Sequence, residues 1–172
     1  MDVRAFWELS YGVYIVGAMD GPRPTGCVAN SMMQITAEPA SIAVSINHNN
    51  YTCGLIEKTG RFSIMVCSEK MPPLTIGTFG FRSGRDCNKF DAFPYVMKDG
   101  VPVLKEGLTA WLTCEVINKM ETATHTVFLG KVLDAEKLPD AGEPMTYAYY
   151  HRVIKGRAPK NAPTYIDAAK LN

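Results

Sequence analysis

The residue types best suited to holding a ligand gather in three stretches. In Asn47-His48-Asn49-Asn50-Tyr51-Thr52 an apolar run gives way to a helix, with Thr52 in the N-cap position and Asn47 and Asn49 beside it. A helix start offers free N–H groups and the positive end of a dipole. A Thr hydroxyl adds one more donor, so a phosphate would be well held there. The same Thr also caps helices that bind nothing. Between Gly80 and Lys89 lie a second Gly, Ser83 and the cations Arg82, Arg85 and Lys89. Glycine lets a backbone approach an anion closely, and Arg and Lys supply charge-assisted hydrogen bonds, so the loop reads as a phosphate clamp or as a solvated charged turn. A Walker-type Gly-Lys-Thr and a Gly-x-Gly-x-x-Gly following a strand are both missing, which excludes the common nucleotide loops. In Gly26-Cys27-Val28-Ala29-Asn30-Ser31 small residues would let a flat ring lie against backbone while Asn30 and Ser31 hydrogen-bond its polar edge. A bulged strand with outward polar groups reads the same way.

The remaining chemistry-bearing residues are sparse. His125 stands in Thr124-His125-Thr126, and His151 follows Tyr147-Ala148-Tyr149-Tyr150. Scattered histidines make no metal set, and the five cysteines contain no Cys-x-x-Cys pair, so neither a structural metal nor a disulfide framework is expected. Cys67 and Cys114 fall in strand-like runs as buried small hydrophobes, whereas Cys27 and Cys53 are harder to place. With no Gly-x-Ser-x-Gly and no paired carboxylates, hydrolase chemistry has no handle. That pattern suits a protein whose cofactor carries the reaction.

Positioning such residues falls to a mainly β chain. Apolar alternation rich in β-branched and aromatic residues recurs at Val13–Ala18, Ile42–Ile46, Phe62–Val66, Ala110–Val116 and Thr126–Val132. Every second side chain is apolar in Ile42, Val44, Ile46 and in Leu112, Cys114, Val116, which predicts strands with one inward face in a closed or nearly closed sheet. Turns at Asp20-Gly21-Pro22, Glu38-Pro39 and Asp99-Gly100 favour an antiparallel meander. Two short helices are expected, from Thr52 to Thr59 ending at Gly60 and from Pro72 to Phe79 ending at Gly80.

The chain has 172 residues, 47% of them hydrophobic, with 18 Lys and Arg against 17 Asp and Glu. That balance gives no global field for nucleic acid or an anionic membrane. The first apolar run is too short to span a bilayer and lacks a signal-peptide layout, so a cytoplasmic protein is expected. We read residues 1–154 as one domain. Residues 155–172 are basic, Pro-rich and aperiodic, and are expected to form an extended arm suited to wrapping a partner subunit.

Taken in order, these pieces resemble the flavin reductase-like family of FMN-binding split β-barrels, which includes flavoredoxins, a ferric reductase and the flavin domain of high-molecular-weight rubredoxins. The resemblance runs from Tyr11-Gly12-Val13-Tyr14-Ile15-Val16 through the Ala29-Asn30-Ser31, Asn50-Tyr51-Thr52, Ile76-to-Asp86, Gly100-to-Val103 and Thr124-His125-Thr126 motifs to Thr146-Tyr147-Ala148-Tyr149-Tyr150-His151. It implies a homodimer with one FMN per subunit near the interface and the phosphate gripped by Thr52, Ser83 and Lys89. Asn30 and Ser31 would lie along the isoalloxazine, with His125 beside the flavin holding a nicotinamide against it. Phe81, Tyr150 and His151 would stand near the flavin or the partner. The chain departs from the family pattern at Ala123, where Gly is common, and at Val28 and Cys27.

The resemblance further implies an NADH- or NADPH-dependent reductase passing electrons from FMN to a small acceptor such as rubredoxin, ferric iron or free flavin. Its alternative is an electron carrier of the flavoredoxin kind, reduced by a protein partner. The tail through Pro163-Thr164-Tyr165 resembles the segment leading into a rubredoxin domain, yet no Cys-x-x-Cys pairs follow. A separate acceptor molecule is therefore expected.

Overall fold

The structure is a computed structural model that describes residues 1–165, with the side chains of Val3, Arg4 and Trp7 left aside. The rest of the expected arm, 166–172, lies outside the described residues. The strands are β1 (Tyr14–Asp20), β2 (Arg23–Ala29), β3 (Met32–Ala37), β4 (Ala40–Asn47), β5 (Arg61–Cys67), β6 (Tyr95–Lys98), β7 (Val101–Leu104), β8 (Leu108–Glu121) and β9 (His125–Lys137). The helices are α1 (Tyr51–Thr59), α2 (Pro73–Phe81) and α3 (Tyr147–Arg152).

Seven strands form one antiparallel sheet in the order β2-β1-β5-β8-β9-β4-β3, with β6 and β7 paired separately. This is not the simple meander that the turns suggested. Tight connections make the hairpins β1–β2, β3–β4 and β8–β9, while β5 inserts between β1 and β8. The sheet bends until its two ends share a core: Cys27 and Ala29 of β2 pack in one cluster with Ile42, Val44 and Ile46 of β4. No β2–β4 ladder closes it, so the barrel is split.

Central strands separate two cores by alternation. Phe62 and Ile64 of β5 face the barrel interior with Val16 and Ala18 of β1, whereas Met65 and Cys67 join Val13 and Ile15 in a second core under α2 and α3. Successive side chains point to opposite faces, so one strand serves both layers. Burial pushes the Cys67 and Cys114 thiols up to about 12, as suits small hydrophobes without a thiolate role.

Helix boundaries follow local chemistry. α1 stops at Gly60, whose left-handed φ of 68° lets its N–H reach the Ile56 carbonyl at 2.8 Å. α2 begins with Pro73 and runs through Gly80 to Phe81, two residues beyond the expected end. There Gly80 sits inside the helix facing Val28 of β2, where a Cβ would make an ordinary contact at 3.6 Å. Strand β2 escaped the sequence pattern because Pro24 and Gly26 weaken it. An edge position tolerates both, and Gly26 packs so tightly that a Cβ would lie 2.7 Å from the Val16 carbonyl oxygen.

Candidate functional site

Where β2, β4, α1, α2 and α3 converge, a cleft partly open to solvent lies beneath residues 157–163 of the chain's own arm, which leave about 40 Å³ of it empty. Asn30, Asn47 and Asn50 supply polar groups, Tyr147 and Tyr150 an aromatic wall, and Phe81 and Gly80 the margin along α2. Of the residues singled out by sequence, the cleft thus gathers Asn30, Asn47, Phe81 and Tyr150. Ser31, Asn49, Thr52, Ser83, Lys89, His125 and His151 stand outside its immediate lining.

One end of the cleft is the start of α1. The N-cap is Asn50, not Thr52, with extended backbone at φ −73° and ψ 124°. Both residues are capable caps, and the backbone selects the one immediately before the first helical residue. Asn50 makes no side-chain cap bond, because its Oδ1 accepts from Asn161 Nδ2 at 3.0 Å. The Cys53 N–H donates to the Asn50 carbonyl at 2.9 Å, so the N–H groups of Tyr51 and Thr52 are the first-turn donors left with no side-chain cap from Asn50. Thr52, two residues after Asn50, is 2% exposed. Asn47 turns the chain into this corner, its Oδ1 accepting from the Asn49 N–H at 2.9 Å, while the Asn49 side chain is exposed.

The loop after α2 packs on the same corner. Ser83 organises it, accepting from the Arg85 N–H at its hydroxyl and from the Asp86 N–H at its carbonyl, both at 3.2 Å. Gly84 seats directly on β2 and α1: a Cβ there would stand 2.2 Å from Thr25 Oγ1 and 3.2 Å from the Tyr51 ring. Thr25 is 1% exposed and its hydroxyl has no partner. The Arg85 guanidinium covers Tyr51 at 5.2 Å, and Tyr51 donates to Asp20, which also pairs with Arg23.

Lys89 departs from the expected phosphate grip. Its ammonium is buried and donates to the carbonyls of Gly26 at 2.8 Å and Phe79 at 3.0 Å. A buried cation requires acceptors, and a carbonyl in the last turn of α2 has no helical N–H to satisfy it. Lys89 therefore staples the loop to β2 and α2. Burial pulls its pKa down. Cys27 lies beside it, and burial pushes that thiol up to about 11 against the pull of Lys89 and Thr52, which makes Cys27 a neutral wall residue of the cleft.

Asn30, also in the lining, is 4% exposed; its side-chain amide donates to Thr164 at 2.7 Å and its side-chain carbonyl accepts from Ser31 at 3.1 Å. His125 stands opposite Asn47 in the β4–β9 ladder. Its Nδ1 shares a hydrogen bond with Thr124 at 2.7 Å, and its buried Nε2 faces the Asn161 backbone without reaching hydrogen-bond geometry. Burial lowers the His125 pKa, partly offset by Asn161, so the ring is neutral near pH 7 and its Nε2 is ready for a polar partner. His151 instead pins the arm through the Gly156 carbonyl at 2.9 Å and meets Tyr147 edge-on.

These features fit a flavin mononucleotide: a helix start with no side-chain cap for the phosphate, an aromatic wall for the ring, and buried amides for its polar edge. Sequence reasoning missed Asn50, Tyr147, Asn161 and Thr164. Asn50 and Tyr147 stood inside motifs already recognised, but the two arm residues carry no periodic signal. Among the described residues, no helix is long and apolar enough to cross a membrane.

Comparisons with known proteins bear on the family and the fold. Residues 6–156 match the flavin reductase like domain family. The chain is 44% identical to the high molecular weight rubredoxin of Moorella thermoacetica over 96% of its own length and 72% of the relative's. It is 39% identical to the ferric-chelate reductase (NAD(P)H) of Archaeoglobus fulgidus over 98% and 99% of the two chains. Among solved structures, the NADH:FAD oxidoreductase of Streptomyces globisporus superposes with a TM-score of 0.75 at 25% identity, covering 83% of this chain and 84% of that one. The chain belongs to the flavin reductase-like family of split barrels.

Proposed function

We propose that this protein binds FMN in the cleft, accepts a hydride from NADH or NADPH, and delivers electrons to a small acceptor: a ferric chelate, rubredoxin or free flavin. The observation that carries the reading is one aromatic-walled cleft lined both by Asn50, the N-cap of α1 that makes no side-chain cap bond, and by buried Asn30. Near-full-length similarity to a ferric-chelate reductase (NAD(P)H) supports the reaction class, and similarity to a high molecular weight rubredoxin supports the acceptor class.

FMN, when bound, supplies the two-electron chemistry. The chain's residues hold, orient and shield. The first-turn N–H groups of α1, with the Thr52 and Ser83 hydroxyls and exposed Arg82, take the phosphate end. Lys89 fixes the loop that carries Ser83. Asn30, with Ser31 behind it, orients the ring edge, and Tyr150 and Phe81 border its face. Neutral His125, opposite Asn47 in the β4–β9 ladder, would help hold a nicotinamide against the flavin. Such a site needs no proton-relay triad, because hydride transfer asks mainly for distance and orientation.

A second copy of the chain is the partner we favour for the exposed apolar side chains Met33 and Ile35 of β3 and Ile117 and Met120 of β8. Cysteines that are free throughout the described residues support a reducing compartment, hence the cytoplasm. A second reading, a carrier reduced by a protein partner, draws support from the Asn161 backbone standing over His125. Reconstitution tests the assignment. Retention of about one FMN per chain with ferric-chelate reduction driven by NADH or NADPH supports it, and failure to retain flavin removes it.

A further inference from the structure

The described part of the arm is built into the cleft. Thr164 bridges Asn30 and Tyr147, Asn161 donates to Asn50, the Tyr150 hydroxyl reaches the Arg157 carbonyl, and His151 holds the Gly156 carbonyl. These contacts span 111 residues for Asn161–Asn50 and 134 for Thr164–Asn30, and each joins the arm to a wall of the same groove.

The Asn161–Asn50 bond has a particular consequence. An Asn at the N-cap normally turns its side-chain oxygen onto the N–H of the second or third helical residue. Asn50 has the extended backbone for this, yet its Oδ1 accepts from Asn161 instead. The Cys53 N–H already donates to the Asn50 carbonyl at 2.9 Å, so an Asn50 side-chain oxygen on the Thr52 N–H would place an acceptor where an anion must sit, and capping and phosphate binding compete for that donor. Close by, fully buried Thr25 Oγ1 lacks a partner beside Gly84 and the Tyr51 ring, a second polar group left open at this corner.

We propose that Asn161 is a positioning residue for the cofactor phosphate: by holding the Asn50 amide away from α1, the arm keeps the helix start free for an anion. The inference rests on the FMN reading above and deepens it. Asn161 touches Asn50 and not the reacting atoms. Its effect is therefore confined to ligands that carry the phosphate, and it disappears once Asn50 can no longer cap.

Flavin titration of the purified chain tests this, with FMN and riboflavin as probes and quenching of flavin fluorescence as the readout. Asn161→Ala is expected to weaken FMN roughly tenfold, the weight of one charge-assisted hydrogen bond, and to leave riboflavin unchanged. Adding Asn50→Ala to that variant is expected to restore FMN binding, because Ala cannot cap. Equal loss for both flavins, a gain in FMN affinity, or no recovery in the double variant overturns the proposal. If the unsubstituted chain binds neither flavin, the cofactor reading fails first and this inference falls with it.

Discussion

Asn47 of β4 stands directly opposite His125 of β9, so a residue lining the cleft and the half-buried imidazole behind the arm are fixed by one antiparallel register. The β8–β9 hairpin extends that register over a long ladder, which makes the His125 backbone a rigid mount. A slip of one residue would turn His125 to the opposite face.

His125→Ala should therefore slow reduction by a nicotinamide more than it weakens FMN. Loss of a single positioned group at a transfer site costs about 10–100-fold in rate where it acts on orientation. Rapid-mixing reduction rates set beside FMN titrations make the comparison. Equal losses in both would assign His125 a purely structural role.

Stability should also report on His125. Its folded pKa lies below the usual 6.5, lowered first by burial and further by the nearby His48 charge, with the Asn161 backbone opposing. As pH falls below about 6.5, the unfolded chain takes up a proton that the folded ring resists, so the unfolded state binds more protons and stability drops until the folded pKa is passed. Melting temperature followed from pH 7.5 to 5 should fall more steeply for the unsubstituted chain than for His125→Gln. Parallel curves would show that His125 does not contribute.

Lys89→Ala removes a buried ammonium and leaves the Gly26 and Phe79 carbonyls without it. Unfolding should become easier by about 2–4 kcal/mol, with FMN weakened only as the loop loosens. Denaturant melts of the flavin-free chain measure this. Unchanged stability with strongly reduced FMN affinity would return Lys89 to direct phosphate contact.

Gly84→Ala places a methyl 2.2 Å from Thr25 Oγ1 and 3.2 Å from the Tyr51 ring. The loop must lift off β2, at a cost of about 1–3 kcal/mol, and Ser83 moves with it. Pairing it with Thr25→Ala removes the worst contact and should recover most of the stability. A chain with Gly84→Ala that melts like the parent would mean that the loop does not bear on Thr25.

What was legible in the sequence follows from which forces are local. Alternation in β4 and β8 marks the side chains that enter the barrel core, Ile42, Val44 and Ile46 with Cys114, although β4 is buried on its other face as well, and Gly60 ends α1 with a left-handed φ; both signals show in a short window. β2 did not show, since Pro24 and Gly26 suit an edge position only the folded sheet reveals. Thr52 and Asn50 are equally good caps on composition, and only the backbone distinguishes them. Lys89 looked anion-facing because loop cations usually meet solvent, whereas its partners at Gly26 and Phe79 come from other elements. Asn161 and Thr164 act across more than a hundred residues of separation, so no spacing within the arm could disclose their roles.

The central claim is a cleft that positions FMN for reduction by a nicotinamide, and an anaerobic titration measures it most directly. Absorbance of the flavin-loaded protein is followed as NADH and then NADPH are added. Bleaching of the bound flavin is expected at near-stoichiometric addition of at least one of the two. A flavin that stays oxidised with both contradicts it.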